Sequence, residues 1–139
     1  MAENPFLDGG LAAAPEGVAV QDLEERWTYR ELRRRAEAFG RFLVRRGGGA
    51  GSRVALPASL DRHTVAALHG IWLVGAEAVP LHETWTGAER ARALDLLRPG
   101  MVLSKADVES GSTLEGGSEW GLAGRRALSG PPWGSRPLT

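Results

Sequence analysis

Between Arg53 and Leu81 two short apolar runs flank one long apolar stretch, and this arrangement restricts the fold more than any other feature of the chain. Arg53-Val54-Ala55-Leu56 is too short for a helix and branched enough for a buried strand, and Ala78-Val79-Pro80-Leu81 is of the same type. Thr64 to Ala76 is apolar nearly all round, broken only by His69 and Gly70. Ser59 and Asp61 offer side-chain oxygens to cap a helix there, and Gly75 offers its stop. Strand, helix and strand in this order form a βαβ unit, which crosses over right-handedly between parallel strands. A helix without a polar face must be covered on several sides. The rest of the chain is therefore read as additions to a parallel sheet.

On the carboxyl side, Thr86-Gly87-Ala88-Glu89 has the capping-box pattern and opens a helix with Ala88, Ala91, Leu94 and Leu97 on one side. Arg98-Pro99-Gly100 stops it, and Met101-Val102-Leu103-Ser104 is a further parallel strand. On the amino side, Val18 to Asp22 and Arg26-Trp27-Thr28 read as a hairpin at the edge of the sheet, turning at Leu23-Glu24-Glu25. Thr28-Tyr29-Arg30-Glu31 is a second capping-box pattern. Behind it Tyr29, Leu32, Ala36, Phe39 and Leu43 mark a buried helix face, while Arg33, Arg34, Glu37, Arg41 and Arg45 lie outside. Arg33 with Glu37, and Glu37 with Arg41, stand one turn apart. The expected fold class is α/β: a doubly wound, mostly parallel sheet with helices on both faces, an N-terminal β-hairpin and an irregular C-terminal tail.

Three segments follow. Residues 1–15 are expected as a loose arm with one short helical turn, residues 16–107 as the α/β unit, and residues 108–139 as a glycine-, serine- and proline-rich tail with little regular structure, the change of character beginning at Ala106. Trp120 and Trp133 stand isolated in that tail. The 139 residues suffice for one domain with a real core.

Lysine plus arginine and aspartate plus glutamate number 17 each, which argues against nucleic-acid binding driven by overall charge. The absence of cysteine removes disulfides, thiolate metal sites and cysteine nucleophiles. Ala2-Glu3-Asn4-Pro5 after Met1 lacks the basic and apolar regions of a signal peptide, and the longest apolar run falls short of the roughly 20 residues needed to span a bilayer. No membrane partner and a cytoplasmic location are expected.

Ser59, Asp61 and His63 contain the residue types of a hydrolase triad, but nearly consecutive side chains do not converge as separate elements do, and no nucleophile elbow is present. His63, His69 and His82 include no pair at metal-binding helical spacing. Gly47-Gly48-Gly49-Ala50-Gly51 follows a helix and precedes a strand, the reverse of a phosphate loop, and reads as a helix stop and turn. Ligands of open α/β sheets bind beyond the carboxyl ends of the strands, which here are Pro57-Ala58-Ser59, His82-Glu83-Thr84-Trp85 and Ser104-Lys105. A response-regulator domain would carry acidic residues at positions that here read Ser59 and His82.

From about Pro15 to Asp107 the order of segments resembles the amino-terminal part of the AMP-forming adenylating enzymes: acyl-CoA synthetases, peptide-synthetase adenylation domains and luciferases. The residues that carry the resemblance are Pro15-Glu16-Gly17-Val18-Ala19-Val20, Trp27-Thr28-Tyr29-Arg30-Glu31-Leu32, Gly51 to Leu56, Leu68 to Leu81, and Thr86-Gly87-Ala88-Glu89-Arg90. The compact spacing and Gly70-Ile71-Trp72 are similar to small acid-CoA ligases such as o-succinylbenzoate-CoA ligase. The resemblance implies ATP and magnesium, an acyl-adenylate, and coenzyme A or another thiol as acceptor. The family's phosphate loop, adenine and metal motifs and catalytic lysine would all lie downstream of this segment, and the chain's single lysine, Lys105, stands in no such context. No catalytic, cofactor-binding or metal-binding residue is therefore carried over, and the chain alone is expected to bind no cofactor and to be inactive, as if truncated before the phosphate loop. The expected partner is a downstream polypeptide, or a second copy joined through an open sheet edge and the apolar helix. A stand-alone binding or assembly module is the alternative.

Overall fold

The structure, a computed structural model, describes residues 4–113. Its elements in chain order are α1 (Pro5–Ala13), β1 (Val18–Gln21), β2 (Arg26–Thr28), α2 (Tyr29–Arg45), β3 (Arg53–Pro57), α3 (Arg62–Leu73), β4 (Glu77–Leu81), α4 (Gly87–Leu97), β5 (Met101–Val102) and α5 (Lys105–Gly111). The βαβ unit forms as read: β3 and β4 are parallel, with Val54 opposite Ala78 and Leu56 opposite Pro80, and β5 joins β3 on its other side, giving the order β4-β3-β5. The connection through α3 moves one way across the sheet and that through α4 moves back past β3, so right-handed crossovers put α3 and α4 on opposite faces.

The two faces are unequally covered. On the α3 face, Val54, Leu56, Ala76 and Leu103 pack with Ile71 and Val74 of the α3 segment and with Phe39 and Leu43 of α2. There α2 and α3 approach so closely that a Cβ on Gly70 would stand 2.7 Å from the Ala36 carbonyl oxygen. On the other face Ala55 is buried, but Val102 is 45 % exposed and α4 buries none of its residues, Leu96 being 73 % exposed. The apolar side expected of α4 is therefore an open one. Its C-terminus is held by Arg53, whose guanidinium donates to the Leu97 carbonyl (2.8 Å) and pairs with Glu77 (3.1 Å). The apolar helix α3, in contrast, finds its cover within this chain, and only Trp72 (43 %) stands substantially exposed.

Helix ends follow local chemistry. Asp61, not Ser59, caps α3 by accepting from the Thr64 amide (2.8 Å). Gly75, at φ +78°, ends α3, with the Ala76 amide returning to Ile71 O and the Gly75 amide to Trp72 O, both at 3.0 Å, the glycine-dependent helix stop. Thr86 and Glu89 complete the capping box of α4. Thr28 caps α2 through the Glu31 amide (3.1 Å), but the Glu31 carboxylate turns to Arg35 instead of back to Thr28, so that box is half formed. Arg33 pairs with Glu37 at 3.0 Å, as its spacing predicts.

Three expectations require correction. The hairpin β1–β2 forms, with antiparallel register, but as a separate two-stranded sheet and not at the edge of the parallel one. It packs through Trp27 and Val20 into a second apolar cluster with Leu32, Ala36, Ala66 and Leu73, a helix surface that a strand-only view of the hairpin overlooks. The amino-terminal arm holds a nine-residue helix whose Leu7 is fully buried in that same cluster, so it is fastened where a loose end was expected. After Ala106 the chain is helical to Gly111, because Ser104 and Asp107 form a capping box and Val108 reaches the core beneath the sheet. The remainder of the glycine- and proline-rich tail, with Trp120 and Trp133, lies outside the described residues.

Candidate functional site

Helix α5 packs against α2 and α3, hence on the α3 face. The loops after β3 and β5 thus turn to one face and the loop after β4 to the other, and the crevice that such a divergence creates opens between the carboxyl ends of β3 and β4. Backbone pairing continues one step beyond the strands, from the Ala58 amide to Leu81 O (2.9 Å). The Ser59 hydroxyl then donates to the Glu83 carboxylate, joining the two loops across the crevice mouth. Beside it the Thr84 side chain meets His82 Nδ1 at 2.8 Å, and the His82 and Trp85 rings lie 6.2 Å apart, with residues 82–85 all exposed. Lys105 begins α5, where Ser104 accepts from the Asp107 amide (3.1 Å) and Asp107 from the Ser104 amide (2.9 Å). That bond and the neighbouring Arg46 hold the Asp107 carboxyl below its ordinary range. The polar loop residues chosen from sequence do gather at one end of the sheet, but their hydrogen bonds are spent on one another and on helix ends.

The triad letters disperse. Ser59 serves Glu83, Asp61 caps α3, and His63 bonds through Nδ1 to the Ser112 hydroxyl (3.0 Å) with its ring edge-on to Trp27. His69 is buried, and burial holds its pKa below the ordinary 6.5. Among the described residues no group of three or more histidine, aspartate or glutamate side chains is arranged to hold a metal ion, and no helix is long and apolar enough to cross a membrane. The glycine run makes no phosphate cradle: the amides of Gly47, Gly48, Gly49 and Gly51 go to Val44 O, Leu43 O, Ser52 Oγ and Gly75 O.

The polar cluster that sequence reading missed surrounds Arg62. This side chain, 8 % exposed at the start of α3, meets both Asp22 oxygens (3.0 and 2.9 Å) and Glu25 (3.0 Å) and lies over the Trp27 ring, with Arg35 also over that ring. The Arg62 amide bonds to Asp22, as do the amides of Glu25 and Glu24, and together with the Arg62 guanidinium they hold the Asp22 carboxyl far below its usual range. Burial disfavours charge on Arg62, but Asp22, Glu25 and Glu24 outweigh it and raise its pKa. The cluster ties the hairpin to α3. The Leu23-Glu24-Glu25 turn was legible in sequence, although Asp22 was read as the end of the strand that in fact stops at Gln21, and its basic partner forty residues on carried no signal.

A family model described as AMP-binding enzyme matches residues 9–120. The chain is 33 % identical over 101 residues to the probable non-canonical nonribosomal peptide synthetase CymA of Salinispora arenicola, covering 72 % of this chain and 1 % of that protein. It is 39 % identical over 67 residues to a plipastatin synthase polypeptide of Bacillus subtilis, covering 48 % and 3 %. The o-succinylbenzoate coenzyme A synthetase of Bacillus subtilis, solved with AMP, superposes with a TM-score of 0.69 at 22 % identity over 79 % of this chain and 30 % of that one, a likeness of fold. VinN, solved with L-aspartate, gives 0.60 at 27 % identity over 77 % and 37 %. The chain therefore spans 30–37 % of these two solved relatives and 1–3 % of these two peptide synthetases. With its parallel sheet, hairpin and helix order in agreement with that match, the chain belongs to the AMP-binding enzyme family.

Proposed function

We propose that these residues form the amino-terminal part of a carboxylate-adenylating domain, a scaffold that takes part in ATP-dependent acyl-adenylate formation only together with the rest of such a domain. The observation that carries this reading is the family match over residues 9–120 combined with a sheet whose α4 face is open. An apolar sheet face with one unburied helix is a surface for further polypeptide, and the partner in this proposal is the remainder of the domain. Within the chain, the crevice loops are engaged with each other and the glycine-run amides are satisfied, so the nucleotide and its magnesium would be held by that remainder. The acyl acceptor is coenzyme A or another thiol. Peptide synthetases above 30 % identity favour an amino acid as the activated carboxylate over the aromatic acid of the coenzyme A synthetase, whose 22 % identity bears on fold alone.

The test is ATP–pyrophosphate exchange over a panel of amino acids and aryl acids. The 139-residue chain alone should give no exchange. A chimera in which residues 9–113 replace the equivalent segment of an active adenylating enzyme should give exchange. Exchange by the isolated chain, or a folded chimera without activity, would refute the scaffold reading.

A further inference from the structure

Helix α1 is fastened to α3 by one side chain with two duties. Asn4 is the N-cap of α1, its Oδ1 accepting from the Leu7 amide at 3.2 Å. With the oxygen so used, the amide nitrogen faces His69 Nδ1 at 2.6 Å. An amide nitrogen only donates, so His69 Nδ1 must accept, and the ring is the neutral tautomer carrying its proton on Nε2. The same imidazole stacks on Phe6 of α1 (5.3 Å, 17°) and meets Trp72 of α3 edge-on (5.2 Å).

We propose that α1 is a pH-released clasp, because Asn4 can cap the helix and bond to His69 at once only while the imidazole is neutral. Protonation turns Nδ1 into a donor facing a donor. Asn4 then keeps the His69 contact only by turning its oxygen to the ring and abandoning the Leu7 amide, or keeps the cap and leaves a buried charge beside an N–H group; either way the docked helix is weakened. Among the described residues the ionisable groups near the junction are Asp8 on α1 and Tyr29, Arg33 and Glu37 on α2, with His63 two turns back on α3. Asp8 and Glu37 are both paired to Arg33 (2.7 and 3.0 Å), Tyr29 packs on Phe6, and His63 is bonded to Ser112. Of these the Arg33–Asp8 pair fastens α1 to α2, and Asp8 also accepts from the Asn4 backbone amide (3.4 Å); among the described residues His69 is the ionisable group that meets the Asn4 side-chain amide nitrogen. Burial lowers its pKa, which fixes the sign: the neutral ring's contribution to docking is fully present above about 6.5 and is lost as pH falls from there to the value in the docked state.

The test is proton NMR titration of His69 together with amide exchange of residues 5–13, corrected for intrinsic rates, in the full chain from pH 7.5 to 5. His69 should titrate below 6.5, and α1 protection should fall about tenfold for each pH unit crossed between 6.5 and that value, while β3 and α3 amides hold theirs. In Asn4→Asp, a carboxylate accepts from both the Leu7 amide and protonated Nδ1, so His69 should titrate above 6.5 and α1 should stay protected at low pH. In His69→Gln, which keeps an acceptor but no titration, protection should be independent of pH. Unchanged α1 protection as His69 titrates, or an Asn4→Asp variant whose His69 titration does not move upward, would overturn the clasp.

Discussion

The contact between α2 and α3 predicts opposite outcomes for one chemical change at two helical glycines. At Gly70 an added Cβ would lie 2.7 Å from Ala36 O, 2.8 Å from Phe39 Cβ and 3.2 Å from Gly40 N. Two of these are backbone atoms of the facing helix, which cannot turn aside as a flexible side chain can. Alanine there gains about 1 kcal/mol of helix propensity, whereas overpacking a well-filled core costs about 1–3 kcal/mol. With backbone in the way the cost belongs near the upper end, so Gly70→Ala should lose about 2 kcal/mol net, roughly 10 °C in melting temperature for a domain of this size. At Gly9 the added Cβ meets nothing within 4 Å. Gly9→Ala should therefore gain up to about 1 kcal/mol. Urea denaturation followed by far-UV circular dichroism measures both. A Gly70→Ala protein as stable as the unaltered chain, or the same sign at both positions, would refute the close approach of α2 and α3 at Gly70.

Removing a helix cap costs about 1 kcal/mol, but the caps of α3 and α4 should report differently. Asp61→Ala, at the start of the buried α3, should lower the global urea midpoint, whereas Thr86→Ala, on α4 with no buried residue, should leave the midpoint in place and raise amide exchange only in α4. The lowered Asp22 pKa means that its contribution to stability is fully present above about 3.8 and is lost as pH falls below that. Asp22→Asn should therefore lose stability less steeply than the unaltered chain between about pH 4 and pH 2, as read by urea midpoints. Arg62→Gln should lower the midpoint at pH 7 and change Trp27 fluorescence, since it removes both a partner of Asp22 and a cation over the indole; an unchanged midpoint would contradict the structural role of the cluster.

The parts of the fold that were legible in the sequence are those set by local periodicity and capping. The βαβ unit, the Thr86 capping box, the Gly75 stop and the glycine run as a helix end each depend on residues within a turn or two of one another. Most of what was illegible depends on partners far along the chain. Residues 5–13 carry two glycines and no strong periodicity, so their helix stands on the Asn4 cap and on Leu7 seated among Leu32, Ala36 and Leu73. The Glu31 side chain abandons its box for Arg35, a choice between two neighbours that the pattern leaves open. At the candidate site the sequence located the loops at the carboxyl ends of the strands, because strand ends follow from strands. It did not foretell that Ser59 and Glu83 would bond to each other across the crevice.

That bond and the unequal faces of the sheet bear on how the crevice would work. On the α3 side, β3, α2, α3 and α5 share one closely packed core, and opening any of them exposes the others. On the α4 side, residues 82–92 are exposed throughout, and among the described residues the polar tether from α4 to the strands is Arg53 with its bond to Leu97 O. Local opening costs least where few apolar contacts are lost, so the loop from His82 to Trp85 and the helix after it can move while β3 and α3 stay fixed. The Ser59–Glu83 bond joins the fixed loop to the movable one. An occupant of the crevice that competes for either group would free α4 without disturbing the core, and polypeptide seated against α4 would hold the crevice loops in place. Ser59→Ala should accordingly raise amide exchange in residues 82–97 and leave that of α3 unchanged; equal exchange across residues 82–97 in the two proteins would show that the bond does not link them.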